Sequence, residues 1–446
     1  MATASNIALT GNEKLAFAVT PLRLDSAKKA SQLLNENHKK YDIYINDLGH
    51  HNHILHHVLT LYALGASPDQ IQAAYDSDTP YQRPAFPPHQ KIIQELRDLA
   101  GFAKYLGDYT QYSNYLAHFT AEIDAKGVTA VVAEYLFAGD ERANDLLARN
   151  FTGFAHALIH LGYGLEFGQP AIVAEALAQA SVHEPWARDF FLAAEKAGEE
   201  RKQSGDRDVA LLELFGETRR QIEQLPTAAK YEYADNGLKY GIVHIAAEHL
   251  LPVLSKWAVR SDELIRKTAE MIDASVFYNV TAQRPPHLHK LDFFYVHSIT
   301  LSVHFTDFLT NPVLSPEARV RLLEWKGRWD LANYASRGAA PLLPNELINY
   351  TPKNGGDSWE RLIERTNKFI HVEDGGHAPK MMRALVNGWK ACEKEDRSGF
   401  GLKTPDLWLK AAAMGMDAVE SGSPVWVRGA GFNQGWVGVP LRKGKS

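Results

Sequence analysis

Apolar residues recur at spacings of three and four along most of this chain, which is the pattern of amphipathic helices. Period-two alternation, which is typical of half-buried strands, is scarce. We therefore predict an all-α fold. The predicted helices lie at 25–38, 50–65, 87–99, 108–123, 127–137, 143–165, 170–180, 206–222, 237–257, 260–280, 287–309, 315–334, 358–370, 376–394 and 405–419.

The chain is long enough to bury one large core or two to three ordinary ones, with 446 residues of which 45% are hydrophobic. We expect a single large multi-helix domain over residues 1–446, with a buried metal site between its helices, because the histidine motifs considered below span nearly the whole chain. Residues 1–40 and 420–446 carry none of these motifs and are expected to be peripheral extensions. The irregular stretch 338–357 predicts a loop that covers a site.

Composition and charge exclude several classes of partner. The net charge is −5 and Lys and Arg form no basic stripe, which argues against nucleic acid. The longest apolar stretch, 238–259, is interrupted by charged residues and predicts a buried amphipathic helix rather than a membrane span. No secretory signal is evident, and the single Cys392 excludes an internal disulfide and a cysteine-based zinc site. We expect a soluble, intracellular protein of the cytoplasm.

The tail contains three glycines that only superficially resemble a nucleotide-binding loop. Gly429, Gly431 and Gly435 do not form G-x-G-x-x-G after a strand, and no helix is predicted to follow them. No such motif is found elsewhere, which argues against a flavin- or NADPH-binding domain of the usual kind.

Histidines occur in four widely separated apolar segments that each predict a helix: HHNHILHHVLTLYALGA, FAHALIHLGYGLEF, DFFYVHSITLSVHF and EDGGHAPKMMRAL. A histidine on the apolar face of a helix points into the core, where its imidazole needs a partner. Four such helices that converge would place several neutral imidazoles around one point, which is how proteins hold a transition metal. The pattern predicts a metalloenzyme.

The first segment offers more histidines than one metal needs, since five fall within eight residues. His53, His56 and His57 are rival ligands, and we expect only one of them to bind. His50 and His51 lie at the predicted start of the helix and are expected to be solvated.

The second and third segments each carry two histidines on one helical face. His156 and His160 have the i, i+4 spacing that lets two imidazoles share a metal, although one of them could instead hydrogen-bond nearby. His297 and His304 are seven residues apart in an aromatic-rich segment. For each of this second pair, ordinary core packing is the simpler interpretation.

The fourth segment places His377 and Lys380 one helical turn apart after the pair Gly375 and Gly376. A lysine cation beside a metal would be repelled, so it must reach water or lose its charge through burial. A neutral amine can add CO2 and become a carbamate, which is an anionic oxygen ligand. On spacing alone, a surface lysine beside a capping histidine is the simpler interpretation.

Taken together and in this order, the four segments resemble the landmarks of the questin oxidase-like family over residues 45–390. This family includes fungal polyketide enzymes that open anthraquinone rings. The resemblance implies an all-helical, flavin-free oxygenase that holds a non-haem Fe(II) with four histidines and a lysine carboxylated by CO2. Carried over by motif, the metal ligands are His53, His156, His297, His377 and Lys380 with its side-chain nitrogen carboxylated.

The resemblance further implies that O2 is the co-substrate and that the enzyme cleaves a ring of an anthraquinone-type polyketide in secondary-metabolite biosynthesis. Lys380 and His160 are the expected catalytic residues. Because a flat aromatic substrate needs an apolar pocket, the expected substrate contacts are Tyr163, Phe294, Tyr295 and His304. Carboxylates that could orient the ligand imidazoles are Glu166, Asp292, Glu373 and Asp374.

Two other functions remain open. One is a Baeyer–Villiger-type oxidase that draws electrons from NADPH and has no catalytic metal. The other is a non-catalytic helical protein, acting as a metal-binding protein or as an interaction scaffold.

Overall fold

The structure, a computed structural model, describes residues 1–205, 209–353, 356 and 358–442. The described residues form helices and a few isolated bridges, with no β-sheet among them, and the all-α prediction is confirmed. The α-helices are α1 Leu24–Lys40, α2 Ile54–Ala63, α3 Pro68–Asp78, α4 Gln90–Glu95, α5 Leu99–Lys104, α6 Tyr112–Lys126, α7 Val128–Leu136, α8 Glu141–Asn150, α9 His156–Glu166, α10 Pro170–Val182, α11 Arg188–Ser204, α12 Leu211–Gln224, α13 Ala247–Leu254, α14 Leu264–Thr281, α15 Val296–Phe308, α16 Pro316–Ser336, α17 Pro344–Ile348, α18 Trp359–Lys368, α19 His377–Cys392 and α20 Pro405–Glu420.

Shorter helical turns connect these elements. A π-helical stretch, Gly237–Ala246, leads into α13. The 3₁₀ turns are Thr79–Tyr81, Tyr109–Gln111, Gly153–Ala155, Pro226–Ala228, Tyr231–Asn236, Ser261–Glu263 and Asn433–Trp436. None of the helices in the described part of the chain combines the length and the apolar character that crossing a bilayer requires.

The chain divides into two compact units, each built from three stretches of sequence. Unit 1 comprises Met1–Arg188, Asp307–Ala318 and Ile370–Arg383. Unit 2 comprises Asp189–Thr306, Arg319–Phe369 and Ala384–Ser446. Three of the four histidine motifs therefore belong to unit 1. The expected single domain over the whole chain stays a prediction.

Helix α9 lies in the core of unit 1, since every one of its residues is buried. It packs against α10 at a close approach where Gly164 faces Val173. A Cβ on Gly164 would lie 2.8 Å from the backbone nitrogen of Val173, so only glycine fits there. The histidines of α9 are thus held inside a tightly packed pair of helices.

The predicted helix 143–165 is interrupted, and this corrects its expected bounds. It forms α8 and α9, which are separated by a turn in which Gly153, Phe154 and Ala155 all have positive φ, of 52°, 54° and 59°. Two consecutive non-glycine residues in the left-handed region cost free energy. Apolar periodicity continues across this break, and it therefore could not predict that His156 begins a helix.

The two termini, which we expected to be peripheral extensions, contain buried residues, and that expectation stays a prediction. Within 1–40, Ile7 and Phe17 are buried in unit 1, and α1 packs against α2 and α3. Within 420–446, Trp436 is buried in unit 2, while the last four residues lie outside the described residues. Ile7, Phe17 and Trp436 are buried although they lie outside the α-helices of these two stretches.

Three further stretches differ from the helices and loops that we predicted from the sequence. α11 was not predicted because charged residues dominate its sequence, and the stretch 338–357 contains the short helix α17. The stretch 238–259 is not fully buried as expected, since Tyr240 and Ile245 are 43% and 38% exposed. The predicted start of the helix at 206 lies outside the described residues.

A buried ion pair links α9, α19 and the N-terminal segment within unit 1. Arg383 Nη1 donates to Glu166 Oε2 at 3.1 Å, Arg383 Nη2 donates to Glu166 Oε1, and both side chains are fully buried. Glu166 also accepts the backbone N–H of Ala16 at 2.7 Å, and Arg383 Nε donates to the carbonyl of Phe17 at 3.1 Å. This pair fixes two helices that carry histidine motifs.

Glu166→Gln should lower the free energy of unfolding by about 3–5 kcal/mol, because it leaves the Arg383 cation buried without a compensating charge. Chemical denaturation measures the change. Glu364→Gln removes the exposed Lys368–Glu364 pair and should unfold like the wild type. A Glu166→Gln protein as stable as this control would contradict the structural role of the buried pair.

Candidate metal centre

Three imidazoles of unit 1 converge in the structure. One ligand nitrogen from each of His53, His156 and His377 lies within 4.8 Å of the other two. The Nε2 atoms of His53 and His156 are 2.8 Å apart, and the ring of His377 is edge-on to that of His53 with centroids 4.8 Å apart. His156 and His377 are buried, while His53 keeps part of its surface exposed.

All three histidines stand at the start of a helix. His53 is the N-cap residue of α2, and His156 and His377 are the first residues of α9 and α19. The N-terminus of a helix carries a partial positive charge that disfavours a protonated imidazole and favours an anion. The three helix N-termini therefore bring three imidazoles together and favour negative charge at the same place.

Backbone carbonyls set the tautomer of two of these rings. His156 Nδ1 is hydrogen-bonded to the carbonyl of Gly153, and His377 Nδ1 is hydrogen-bonded to the carbonyl of Asp374. Because a carbonyl can only accept, each Nδ1 carries the proton and each Nε2 is the acceptor nitrogen. This second contact is the usual way in which proteins orient a metal-binding imidazole.

The donor set fits a transition metal. Metal–nitrogen bonds are about 2.1 Å long, so two imidazoles at a right angle around one ion have nitrogens about 3.0 Å apart. The 2.8 Å between His53 and His156 is close to that value. Burial, and next the charges of Lys380 and the neighbouring histidines, lower the pKa of His53 well below its ordinary value. Its nitrogen lone pair is thus available near neutral pH, and imidazole ligands suit zinc, copper, iron or nickel.

Lys380 is buried beside this cluster, which overturns its interpretation as a surface lysine. It lies one turn after His377 in α19 and is 2% exposed. Burial lowers its pKa to about 7, against the opposing effect of the Asp374 and Asp78 carboxylates. A buried amine with a pKa of about 7 is partly uncharged at neutral pH, and its uncharged form is able to react with CO2.

The structure separates the rival histidines of the first segment. His57 Nδ1 pairs with Asp78 Oδ2 at 2.9 Å, and the ring of His56 stacks on Tyr163 with centroids 5.1 Å apart. His53 is the member whose nitrogen joins the cluster. Sequence spacing could not identify which of the three histidines joins the cluster, because the helix begins only after His53.

His51 is not solvated as expected, although His50 is exposed. The ring of His51 stacks on His156 with centroids 4.1 Å apart, and its Nε2 lies 2.9 Å from His183 Nε2. These two histidines form a second layer of imidazoles beside the cluster. The sequence around His183 did not predict that this histidine lies beside the cluster.

The other expected site residues of unit 1 are held by the protein itself. His160 Nε2 pairs with Glu175 Oε2 at 2.8 Å, and the hydroxyl of Tyr163 lies 2.5 Å from Thr60 Oγ1. Both side chains are buried in α9. Their catalytic and substrate-binding roles stay predictions.

The expected site residues of unit 2 lie on or just before α15. His297 Nδ1 is hydrogen-bonded to the carbonyl of Phe293 at 2.8 Å, which repeats the pattern of His156 and His377. Phe294, Tyr295 and His304 are all buried. The assignment of His297 as a fourth ligand, and of the other three as substrate contacts, stays a prediction.

The four carboxylates considered as orienting groups have different partners. Glu166 pairs with Arg383, and Glu373 is exposed. Asp292 accepts backbone N–H groups, including that of Phe294 at 2.8 Å. Asp374 does hold His377, but through its carbonyl oxygen, while its carboxylate caps the start of α19.

Comparison with known proteins places the chain among related sequences. A family model described as "Questin oxidase-like" matches residues 50–385. The chain is 40% identical to Oxidoreductase AflY of Aspergillus parasiticus over 433 residues, covering 96% of this chain and 86% of that protein. It is 37% identical to Baeyer-Villiger monooxygenase dmxR6 of Cryptosporiopsis sp. over 441 residues, covering 97% and 98%. It is 35% identical to Questin oxidase of Aspergillus fumigatus over 450 residues, covering 99% and 100%.

Gly376→Ala should damage the cluster more than a matched substitution elsewhere in unit 1. Gly376 has a φ of 73°, and an added Cβ would lie 2.6 Å from Cγ of His57. Gly139 has a φ of 78° with nothing within 4 Å. Both alanines pay about 1–2 kcal/mol for the left-handed backbone, and only Gly376→Ala adds steric overlap, of about 1–3 kcal/mol.

Chemical denaturation and titration with Zn²⁺ measure the two effects. We expect Gly376→Ala to be the less stable variant and to bind Zn²⁺ more weakly, because the overlap displaces the segment that carries His377. Equal stability and equal affinity in the two variants would show that this close approach does not matter.

Proposed function

The chain belongs to the questin oxidase-like family, and from this premise we propose that it is a non-haem iron oxygenase that uses O2 to cleave a ring of an anthraquinone-type polyketide. Its relatives include proteins named Questin oxidase and Baeyer-Villiger monooxygenase, and these names support an oxidoreductase that uses O2. The metal, the substrate and the bond that is cleaved belong to the proposal.

The convergence of His53, His156 and His377 is the observation that carries the proposal. Three buried or partly buried imidazoles whose nitrogens lie within 4.8 Å of one another form a donor set that suits a transition metal. A metal ion satisfies all three at once.

Fe(II) bound by these residues would supply the one-electron chemistry that allows O2 to react with a closed-shell aromatic ring. His53, His156 and His377 would hold it, with His297 as the proposed fourth imidazole. The two carbonyls that fix Nδ1 of His156 and His377 keep the acceptor nitrogens turned to the ion before it binds. This preorganisation lowers the cost of ordering the ligands.

Lys380 is the proposed anionic ligand, as a carbamate. Its neutral amine would attack the carbon of CO2: an N–C bond forms, one C=O π bond breaks with its electron pair moving to oxygen, and one amine proton is released to solvent, so that the side chain becomes an anion. Burial supports this step because it disfavours the ammonium form, and the position of Lys380 in the first turn of α19 supports it because helix N-termini favour negative charge.

The proposed substrate is a flat phenolic polyketide. Tyr163, Phe294, Tyr295 and His304 are its proposed contacts, which we take from the resemblance and from their apolar or aromatic character. Lys380 and His160 are the proposed catalytic residues. Each of the aromatic residues is buried, and none is needed for the metal argument.

A second candidate function is an NADPH-dependent Baeyer–Villiger-type oxidation without a catalytic metal. The observation that favours it is the name of the relative dmxR6, a Baeyer-Villiger monooxygenase, to which the chain is 37% identical. The two candidates differ in what they need besides O2, which is iron in one case and NADPH in the other.

The purified protein should contain about one iron per chain and should consume O2 with a phenolic anthraquinone in the absence of NADPH. His156→Ala should lose the iron and lower turnover by about 100-fold or more, since it removes a ligand. Metal analysis and an oxygen electrode measure both. His118→Gln is the matched control, because His118 is buried in unit 1 against the hydroxyl of Tyr135. Full activity without iron, or a strict need for NADPH, would favour the second candidate.

Lys380→Arg should abolish iron binding and turnover, because arginine keeps its positive charge and cannot form a carbamate. Lys390→Arg, at an exposed position of the same helix, should behave like the wild type. Iron content, turnover and the ¹³C NMR signal of protein kept under ¹³CO2 are the measurements. Normal turnover in Lys380→Arg, or a wild type without a carbamate signal, would rule out the carbamate ligand.

A further inference from the structure

A buried carboxylate is hydrogen-bonded to His160. Glu175, on α10, has its Oε2 2.8 Å from His160 Nε2 and its Oε1 2.6 Å from His38 Nδ1. The side chains of His160 and Glu175 are each 3% exposed, and that of His38 is 10% exposed. Three helices of unit 1, α1, α9 and α10, thus contribute one hydrogen-bonded triad, His38–Glu175–His160.

The charge on Glu175 decides which nitrogen of His160 carries the proton. Burial raises the pKa of this carboxyl, but hydrogen bonds from His160 and His38 outweigh it and lower the pKa to about 2. An ionised carboxylate can only accept hydrogen bonds. His160 Nε2 is therefore the donor, and in the neutral ring Nδ1 is the acceptor.

That acceptor nitrogen has no hydrogen-bond partner among the residues that the structure describes, although it is buried. His160 lies one turn after His156 on the same helix, and therefore on the same face. Its ring is edge-on to that of His56, with centroids 5.2 Å apart. An unsatisfied buried acceptor needs an explanation, and a ligand that carries a hydroxyl group is one.

A second unsatisfied group lies on the neighbouring helix. Gln179 is one turn beyond Glu175 on α10 and is 1% exposed, and neither atom of its amide has a hydrogen-bond partner in the described part of the chain. Residues four apart share a helical face. Two side chains of the packed pair α9 and α10 thus offer hydrogen-bonding groups that the protein itself does not use.

We propose that His160 is the base that takes a phenolic proton from the substrate through Nδ1, and that Glu175 and His38 are positioning residues that fix this tautomer. The nature of the substrate rests on the function proposed above. In this step the substrate O–H bond breaks, the proton bonds to Nδ1, and the electron pair stays on the substrate oxygen. Nε2–H stays on Glu175, so no other bond changes.

The three residues have distinct tasks in this arrangement. Glu175 stabilises the imidazolium that forms on His160, which is the task of the carboxylate in a Ser-His-Asp triad. His38 holds the second oxygen of Glu175, so that the carboxylate does not rotate away. A phenolate is more electron-rich than the phenol, and it is therefore the form of the ring that O2 oxidises more readily.

The tautomer can be measured without turnover. In ¹⁵N-histidine-labelled protein loaded with diamagnetic Zn²⁺, the neutral ring of His160 should carry its proton on Nε2 and none on Nδ1. The assignment comes from the signal that is lost in His160→Gln. A wild type that carries the proton on Nδ1 would overturn the proposal.

Proton removal can be measured without O2. Under argon, the wild type should convert bound 1,8-dihydroxyanthraquinone into its red-shifted phenolate, and both His160→Gln and Glu175→Gln should leave it protonated. In turnover, Glu175→Gln should lower kcat by about 100-fold, within the range for general bases, with little change in KM. Asp145→Asn, which removes a buried carboxylate that pairs with Arg149 in the same unit, should leave kcat and the spectrum unchanged.

The outcomes separate this proposal from the proposed function. Phenolate formation that depends on His160 and Glu175 in a protein without iron-dependent turnover would support the base and refute the oxygenase. Iron-dependent turnover with unchanged kcat in Glu175→Gln, or a probe that stays protonated in the wild type, would overturn the roles of His160 and Glu175 and leave the oxygenase standing.

Discussion

The candidate site depends on neutral imidazoles held at the starts of three helices. A histidine at a helix N-terminus resists protonation, because the partial charge of the helix already has the sign of an imidazolium. His53, His156 and His377 share this position, and the backbone carbonyls that precede two of them also fix the ring nitrogen that carries the proton. The ligand geometry is thus set by main chain that is already ordered by helix packing.

The same positions require backbone that is unusual elsewhere in a helical protein. Gly153, Phe154 and Ala155 turn through the left-handed region immediately before His156, and Gly375 and Gly376 do so before His377. Phe154 and Ala155 adopt strained backbone immediately before His156, which is typical of functional sites, whereas Gly375 and Gly376 adopt the left-handed region without that strain. The buried ion pair between Glu166 and Arg383 connects α9 to α19 and so holds the rings of His156 and His377 in a fixed relative position.

Much of the fold was predictable from apolar periodicity, because amphipathic helices bury one face whatever their tertiary partners are. Apolar periodicity did not predict features that depend on backbone dihedral angles or on contacts between distant helices. The break before His156 is a property of backbone dihedral angles, and the burial of Lys380 and the pairing of Glu175 with His160 arise from helices distant in sequence. The ligand candidates came from the resemblance to a family, and the choice of His53 over its neighbours required coordinates.

The most direct measurement of the central claim is anomalous diffraction at the iron absorption edge from crystals of the purified protein. The account predicts one strong peak about 2.1 Å from Nε2 of His53, His156 and His377, a distance typical of metal–imidazole bonds, with density for a carboxylated Lys380 beside it. A map with no peak at this position, in which the three rings are hydrogen-bonded to one another or to water, would contradict it.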